Sequence, residues 1–177
     1  MKSFSKLPLY LGLSVLVISI LFSAIRLGEN KSVADIKSRA GTAGASLSLQ
    51  FSAPDVVSVS VTSEKEIAGI DAVITFNKDA VTILPSTLSA GSSFVTSGGE
   101  VNEEAGTFSF SALAKGSVTA ADVATFNVQA KGAESVTASL QFAQGEEKSA
   151  VIEKASGTNI LSQGSGATFT VLGRKGE

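Results

Sequence analysis

The side chains that could carry chemistry in this 177-residue chain are of few kinds: it has no His, no Cys and no Trp. Without His or Cys there is no Ser-His-Asp or Cys-His nucleophile system. Thiolate or imidazole zinc sites are equally excluded, and no disulfide can form. Carboxylate chemistry, oxygen-ligand metals and plain binding remain. Acids stand close together at Glu64-x-Glu66, Glu103-Glu104 and Glu146-Glu147. Glycoside hydrolysis needs two carboxylates held roughly 5–10 Å apart across a cleft. All three groups fall in or beside turn signals, where neighbouring acids solvate a hairpin tip, and a domain this small has little cleft. We therefore expect no catalytic residue and no enzyme. Calcium needs clustered carboxylates and carbonyls, but no Asp-x-Asp-x-Asp loop is present, so neither a metal nor a cofactor is expected.

Sugar faces are usually held by planar aromatic platforms. The single Tyr, Tyr10, lies in an apolar N-terminal stretch, which leaves Phe as the aromatic of the remaining chain. Phe51, Phe76, Phe108, Phe110, Phe126 and Phe142 fall in alternating apolar sets and read as core, and Phe169 is expected to join them. Phe94, in Gly91-Ser-Ser-Phe-Val-Thr96, is the one whose setting leaves a carbohydrate platform open, with core the favoured reading.

These candidates must be positioned by a chain that divides by charge. Residues 1–44 carry six Lys/Arg against two acids, and the remainder eight against fourteen. An acidic body is a poor nucleic-acid binder, since phosphate contact needs a cationic face. Leu7 to Ile25 is nineteen residues without a charge, and as a helix it would span roughly 28 Å, close to a bilayer's hydrocarbon thickness. The competing reading is a cleaved signal peptide with Lys2 and Lys6 as its n-region. Against cleavage, the apolar run exceeds the usual h-region, and Phe22 stands where a small residue is expected. An uncleaved anchor over 1–27 is the preferred expectation, with 28–44 a Gly/Ala/Ser-rich spacer and 173–177 a tail. Lys2, Lys6 and the short N-terminal tail favour a cytoplasmic N-terminus. The expected location is thus a single-pass membrane protein whose following domain is extracytoplasmic, on a prokaryotic cell surface.

From Ala45 to Leu172 the period changes to two. Leu47, Leu49 and Phe51 alternate with polar residues, as do Val57, Val59 and Val61, and Ile70, Ala72, Ile74 and Phe76. Phe108, Phe110 and Ala112 continue the series, followed by Phe126 and Val128, by Val136, Ala138, Leu140 and Phe142, and by Phe169 and Val171. One polar and one apolar face per segment is the mark of half-buried antiparallel strands. Turn signals separate them at Ala53-Pro-Asp55, Asn77-Lys-Asp79, Ser97-Gly-Gly99, Glu104-Ala-Gly106, Lys131-Gly132 and Gly145-Glu-Glu147. The pattern predicts an all-β, two-sheet antiparallel sandwich of jelly-roll type with seven to nine strands. It also allows one helical turn over Ser117–Ala124, capped by Thr119.

Within this domain Ile67–Leu84 (IAGIDAVITFNKDAVTIL), Glu104–Leu113 (EAGTFSFSAL) and Val118–Ala130 (VTAADVATFNVQA) resemble, in order and spacing, consecutive strands of cohesin domains. The family pattern has an Asp among alternating apolar residues, then Tyr-Asp-Pro. Here that triplet is Phe76-Asn77-Lys78, and the position two before Asp71, an Asn that helps bind dockerin in many cohesins, is Gly69. The resemblance implies a jelly-roll sandwich related to carbohydrate-binding modules. It also implies a scaffolding or adhesion role, holding a dockerin-like protein through one sheet face. On it Asp71 becomes the first candidate for partner contact, with Val73 and Thr75 beside it on the outward side of the same strand and Ser109 and Ser111 on a neighbouring strand. Polysaccharide binding, through Phe94, is the alternative. A pilin-like subunit fits less well, because Leu7–Ile25 holds no acid and lacks a preceding Gly.

Overall fold

The computed structural model describes residues 44–53, 55–143 and 149–173. The expected anchor, the expected spacer up to residue 43 and the Gly145-Glu-Glu147 turn lie outside these residues. Among the described residues no helix is long and apolar enough to cross a membrane.

Twelve strands follow one another: β1 (Ala45–Ala53), β2 (Val56–Ser63), β3 (Ile67–Phe76), β4 (Val81–Ala90), β5 (Phe94–Thr96) and β6 (Glu100–Asn102). They continue as β7 (Thr107–Ala114), β8 (Ala120–Ala130), β9 (Val136–Phe142), β10 (Ala150–Glu153), β11 (Leu161–Ser165) and β12 (Ala167–Val171). One sheet has the order β11-β1-β2-β8-β4. The other runs β12-β9-β3-β7-β5, with β10 also paired to β3 and β6 to β7. The two-sheet sandwich agrees with the alternation. Its ladders are antiparallel except that of β1 with β11, which is parallel.

Two expectations need correction. The strands outnumber the seven to nine expected, because β5 and β6 have three residues each and β11 (LSQGS) has no apolar alternation. Such segments become strands through their neighbours' hydrogen bonds, a signal absent from local composition. The helical turn over Ser117–Ala124 is also not formed. Ala120 and Ala121 pair with Thr62 and Val61. The carbonyls of Thr119 and Val118 accept from the Ser63 and Ile67 amides at 2.6 and 2.9 Å. A register shift opposite Val59 and Ser60 then turns both Val123 and Ala124 inward. Tertiary pairing overrides the local helical preference here.

The alternating residues pack between the sheets. Leu47, Val57, Val59, Ile70, Ile74, Phe108, Phe126 and Leu140 are fully buried. Phe108 on β7 meets Phe126 on β8 across the sandwich, ring centroids 4.9 Å apart at 58°, a tilted arrangement that aromatic quadrupoles favour. Phe94 lies among this core at 0% exposure. Phe51 departs the other way, at 36% exposure, stacked on Phe169 with centroids 4.2 Å apart. The reason is topological: β11 accompanies β1 only from Ala45 to Ser48, so beyond Ser48 that edge of β1 has no partner strand among the described residues.

Polar side chains complete the ladders where strands run out. β3 pairs with β9 at Ile74–Phe76 and with β10 at Ile67–Asp71. Between them, the Ser149 hydroxyl accepts from the Val73 amide at 2.9 Å and donates to the Val73 carbonyl at 3.0 Å. Ser149 is the one polar residue buried among those described, at 2% exposure. Asn77 plays the same part at the other end of β3. Its Nδ2 donates to the Thr137 carbonyl at 2.9 Å, and its Oδ1 accepts from the Ser139 amide at 3.0 Å. An Asp there would set a carboxylate oxygen against the Thr137 carbonyl, so Asn suits this place better. Gly106, at φ 66°, closes the β6–β7 turn in the left-handed region that glycine tolerates.

Two substitutions probe this account by chemical denaturation of the folded chain. Ser149→Ala should cost about 1–3 kcal/mol, the penalty for stranding a buried amide. Phe94→Ala should cost about 3–5 kcal/mol as a core truncation; an unchanged midpoint would return Phe94 to the surface.

Candidate functional site

The outer face of the seven-stranded sheet collects the residues singled out on β3 and β7. Asp71 stands opposite Ser111, Val73 opposite Ser109, and Thr75 opposite Thr107. Because side chains alternate across a strand, burying Ile70, Ala72 and Ile74 turns Asp71, Val73 and Thr75 outward. Burying Phe108, Phe110 and Ala112 does the same for Ser109 and Ser111. Asp71 and Ser111 are exposed, and Val73, Thr75 and Ser109 are half-buried among their neighbours. The five therefore form one contiguous patch. The Ser111 hydroxyl donates to Asp71 Oδ1 at 2.6 Å, and Ser111 is itself held by β5's extension, its amide donating to Ser97 Oγ at 3.2 Å. The Thr75 hydroxyl donates to the Gln141 carbonyl at 3.2 Å.

Rows across the strands map the rest of this face. Glu100 on β6 stands opposite Ser109. One row beyond Asp71 come Val95 on β5, Leu113 on β7, Gly69 on β3 and Ile152 on β10, each paired in register with the next. Val95 and Leu113 are 55% and 66% exposed. Sequence reasoning missed both. Leu113 was legible in principle as the outward residue after Ser109 and Ser111, but a single apolar residue near a strand end carries little signal.

Two carboxylates, Asp71 and Glu100, stand on this face. Among the described residues the ion pairs are Lys65–Glu153 (3.1 Å), Lys131–Glu103 (2.8 Å) and Lys154–Glu66 (3.4 Å). Asp71 and Glu100 take part in none of them. Of the acids considered for catalysis, Glu146 and Glu147 lie outside the described residues, and Glu66 and Glu103 are engaged in ion pairs with Lys154 and Lys131. Hydrogen bonds from Lys131 and then Thr82 hold the Glu103 carboxyl below the usual glutamate range, and Ser117 and Lys154 do so for Glu66. Two shallow clefts of about 220 and 210 Å³ do not bring carboxylates together: the first has no acid in its lining and the second only Asp55. Among the described residues no three His, Cys, Asp or Glu side chains are grouped to hold a metal ion. Phe94, the sugar platform expected as the alternative, is enclosed in the core, because β5 places it opposite Ala114 on the inward side and leaves Val95 outside. The site is thus an exposed sheet face and not a cleft.

No protein-family model and no curated protein matches the sequence. The fold, by contrast, is similar to that of solved structures. A chain of a type I cohesin–dockerin complex from Clostridium thermocellum is similar at TM-score 0.56 and 10% identity, covering 73% of this chain and 94% of that one. A non-cellulosomal cohesin from the hyperthermophilic archaeon Archaeoglobus fulgidus is similar at TM-score 0.54 and 10% identity, covering 75% and 94%. The cohesin module of a family 33 glycoside hydrolase from Clostridium perfringens follows at TM-score 0.52 and 12% identity, covering 74% and 97%. At such identities the likeness is one of fold: the described domain is a cohesin-type β-sandwich.

Proposed function

We propose that this protein is a membrane-tethered, extracytoplasmic binding module that holds a dockerin-like protein on the outer face of its seven-stranded sheet, and that it is not an enzyme. The observation that carries the reading is the patch itself: Asp71, hydrogen-bonded to Ser111, stands outward on an open sheet face. That is the strand and face to which the cohesin resemblance assigns partner contact. The fold supports it, since the similar structures are cohesins and one is a cohesin–dockerin complex. Tethering rests on the charge-free Leu7–Ile25 stretch, whose length suits one membrane crossing. A patch of hydroxyls, Val73 and one carboxylate, without Trp, Tyr or Arg, lacks the usual hot-spot residues, so a modest affinity follows.

The full chain, immobilised in detergent, should retain at least one purified dockerin module encoded in the same genome and should not be retained on insoluble cellulose or chitin. Asp71→Arg should weaken that retention about tenfold or more, as reversal of a contact charge does. Retention on polysaccharide with no dockerin bound would overturn the reading. Protease treatment of intact cells should degrade the β domain; full protection would refute the extracytoplasmic location.

A further inference from the structure

The edge of a sheet presents unpaired main-chain donors and acceptors, and folded proteins blunt it with short strands, Pro, irregular register or charge. Among the described residues the two sheets end in β4 and β11, and in β5 and β12. Three of these edges are blunted. β4 contains Pro85 and loses its register with β8 between Leu84 and Ser89. β11 shifts against β1 between Ala45 and Ser46. β5 has three residues, as does β6 beside β7. β12 has none of these protections. Its sequence, ATFTV, holds no charge and no Pro, and its ladder with β9 runs from Ala167–Leu140 to Val171–Val136 without a shift. Thr168 and Thr170 are exposed, and Phe169 between them is the ring stacked on the part-exposed Phe51. The strands around it, β1, β2, β9 and β11, carry no ionisable side chain either.

We infer that β12 is a self-association edge: it pairs antiparallel with β12 of a second copy of this chain, so that the seven-stranded sheet continues across both molecules. Charge selects the occupant. Residues 45–177 carry eight basic and fourteen acidic side chains, so two copies repel over most of their surfaces and meet without like-charge cost on the neutral side. An antiparallel edge is also its own complement about a two-fold axis, the symmetry of most homodimers. A five-residue strand paired with its copy over its full length puts its middle residue, Phe169, on the axis. Thr168 then stands opposite Thr170 of the second copy. The contact is roughly 17 Å long, which places it among the small, transient interfaces. It is independent of the proposed partner face, because β9 and β3 separate β12 from β7 and β5. An axis normal to the sheet keeps the seven-stranded faces of both copies on one side, so the pair presents twice whatever one copy presents.

Because the chain has no Cys, an introduced thiol reports only its own contact, and disulfide trapping captures a transient pair. The full chain in detergent is prepared as Thr168→Cys and as Thr170→Cys, and the two are mixed under mild oxidation. The mixture should give about tenfold more linked dimer than Ser86→Cys on the β4 edge, since paired Cα atoms across an antiparallel ladder lie within disulfide reach. It should also exceed either variant alone, which fixes Phe169 as the axis. Excess parent chain should compete the product away. Excess of the double variant Thr168→Lys/Thr170→Lys, whose edge carries charge, should not, and its thermal melt should match the parent because both side chains are exposed. Asp71→Arg should leave the yield unchanged, so this inference and the partner face fail separately. A yield no greater than that of Ser86→Cys overturns the inference, as does competition by the Lys variant equal to the parent's. Thiols at 168 and 170 that resist maleimide at every concentration, with no linked dimer, would mean that the chain covers its own edge, and would overturn it too.

Discussion

The sandwich depends on one contact type: apolar side chains of two sheets meeting across a single layer. With no cysteine in the chain and no metal cluster among the described residues, apolar packing is the main hold between the sheets, and Thr82 and Lys131 add polar links to Glu103 at one edge. Phe108 and Phe126 meet across it at a tilt, and Phe94, Ile74, Leu47 and Val59 belong to the same buried cluster without measurable exposure. Deleting large side chains from such a layer removes transfer free energy and leaves a cavity as well. Every position that faces inward is thereby committed to stability, and recognition is left to the outward residues.

That division explains how the seven-stranded sheet can be both core wall and binding face. β3 contributes Ile70, Ala72 and Ile74 to the interior and Asp71, Val73 and Thr75 to the exterior. It is flanked on one side by β7 along most of its length, and on the other by β9, Ser149 and β10 in succession. A strand paired on both sides is a rigid base for a contact patch, so Asp71 needs only one side-chain partner, Ser111, to be fixed in place. Rigid presentation lowers the ordering cost of association.

Much of this was legible in the sequence because burial imposes a period of two. The alternation around Ile70–Phe76 and Phe108–Ala112 identifies both central strands and the outward side of each; the cohesin resemblance made them neighbours, and the structure pairs Asp71 with Ser111. Three things escaped. Phe94 lies in a three-residue strand, too short for alternation to show its direction. Phe51 keeps the alternation yet is exposed, because its burial depends on a flanking strand more than a hundred residues away. Leu113 and Val95 become a surface feature only through pairing between β5 and β7. In each case the missing information is which strands are neighbours.

The edge of β1 beyond Ser48, without a partner strand among the described residues, has a consequence for how the domain breathes. From Ala45 to Ser48, β1 is hydrogen-bonded on both edges, to β2 and to β11. From Leu49 to Ala53 it has β2 alone, and the seam there is covered by two stacked, partly exposed rings, Phe51 and Phe169. Free energies of local opening follow the number of such supports. Stability is therefore graded within one strand. Local opening should begin at the Phe51 end of β1 and reach its doubly paired Ala45 end later.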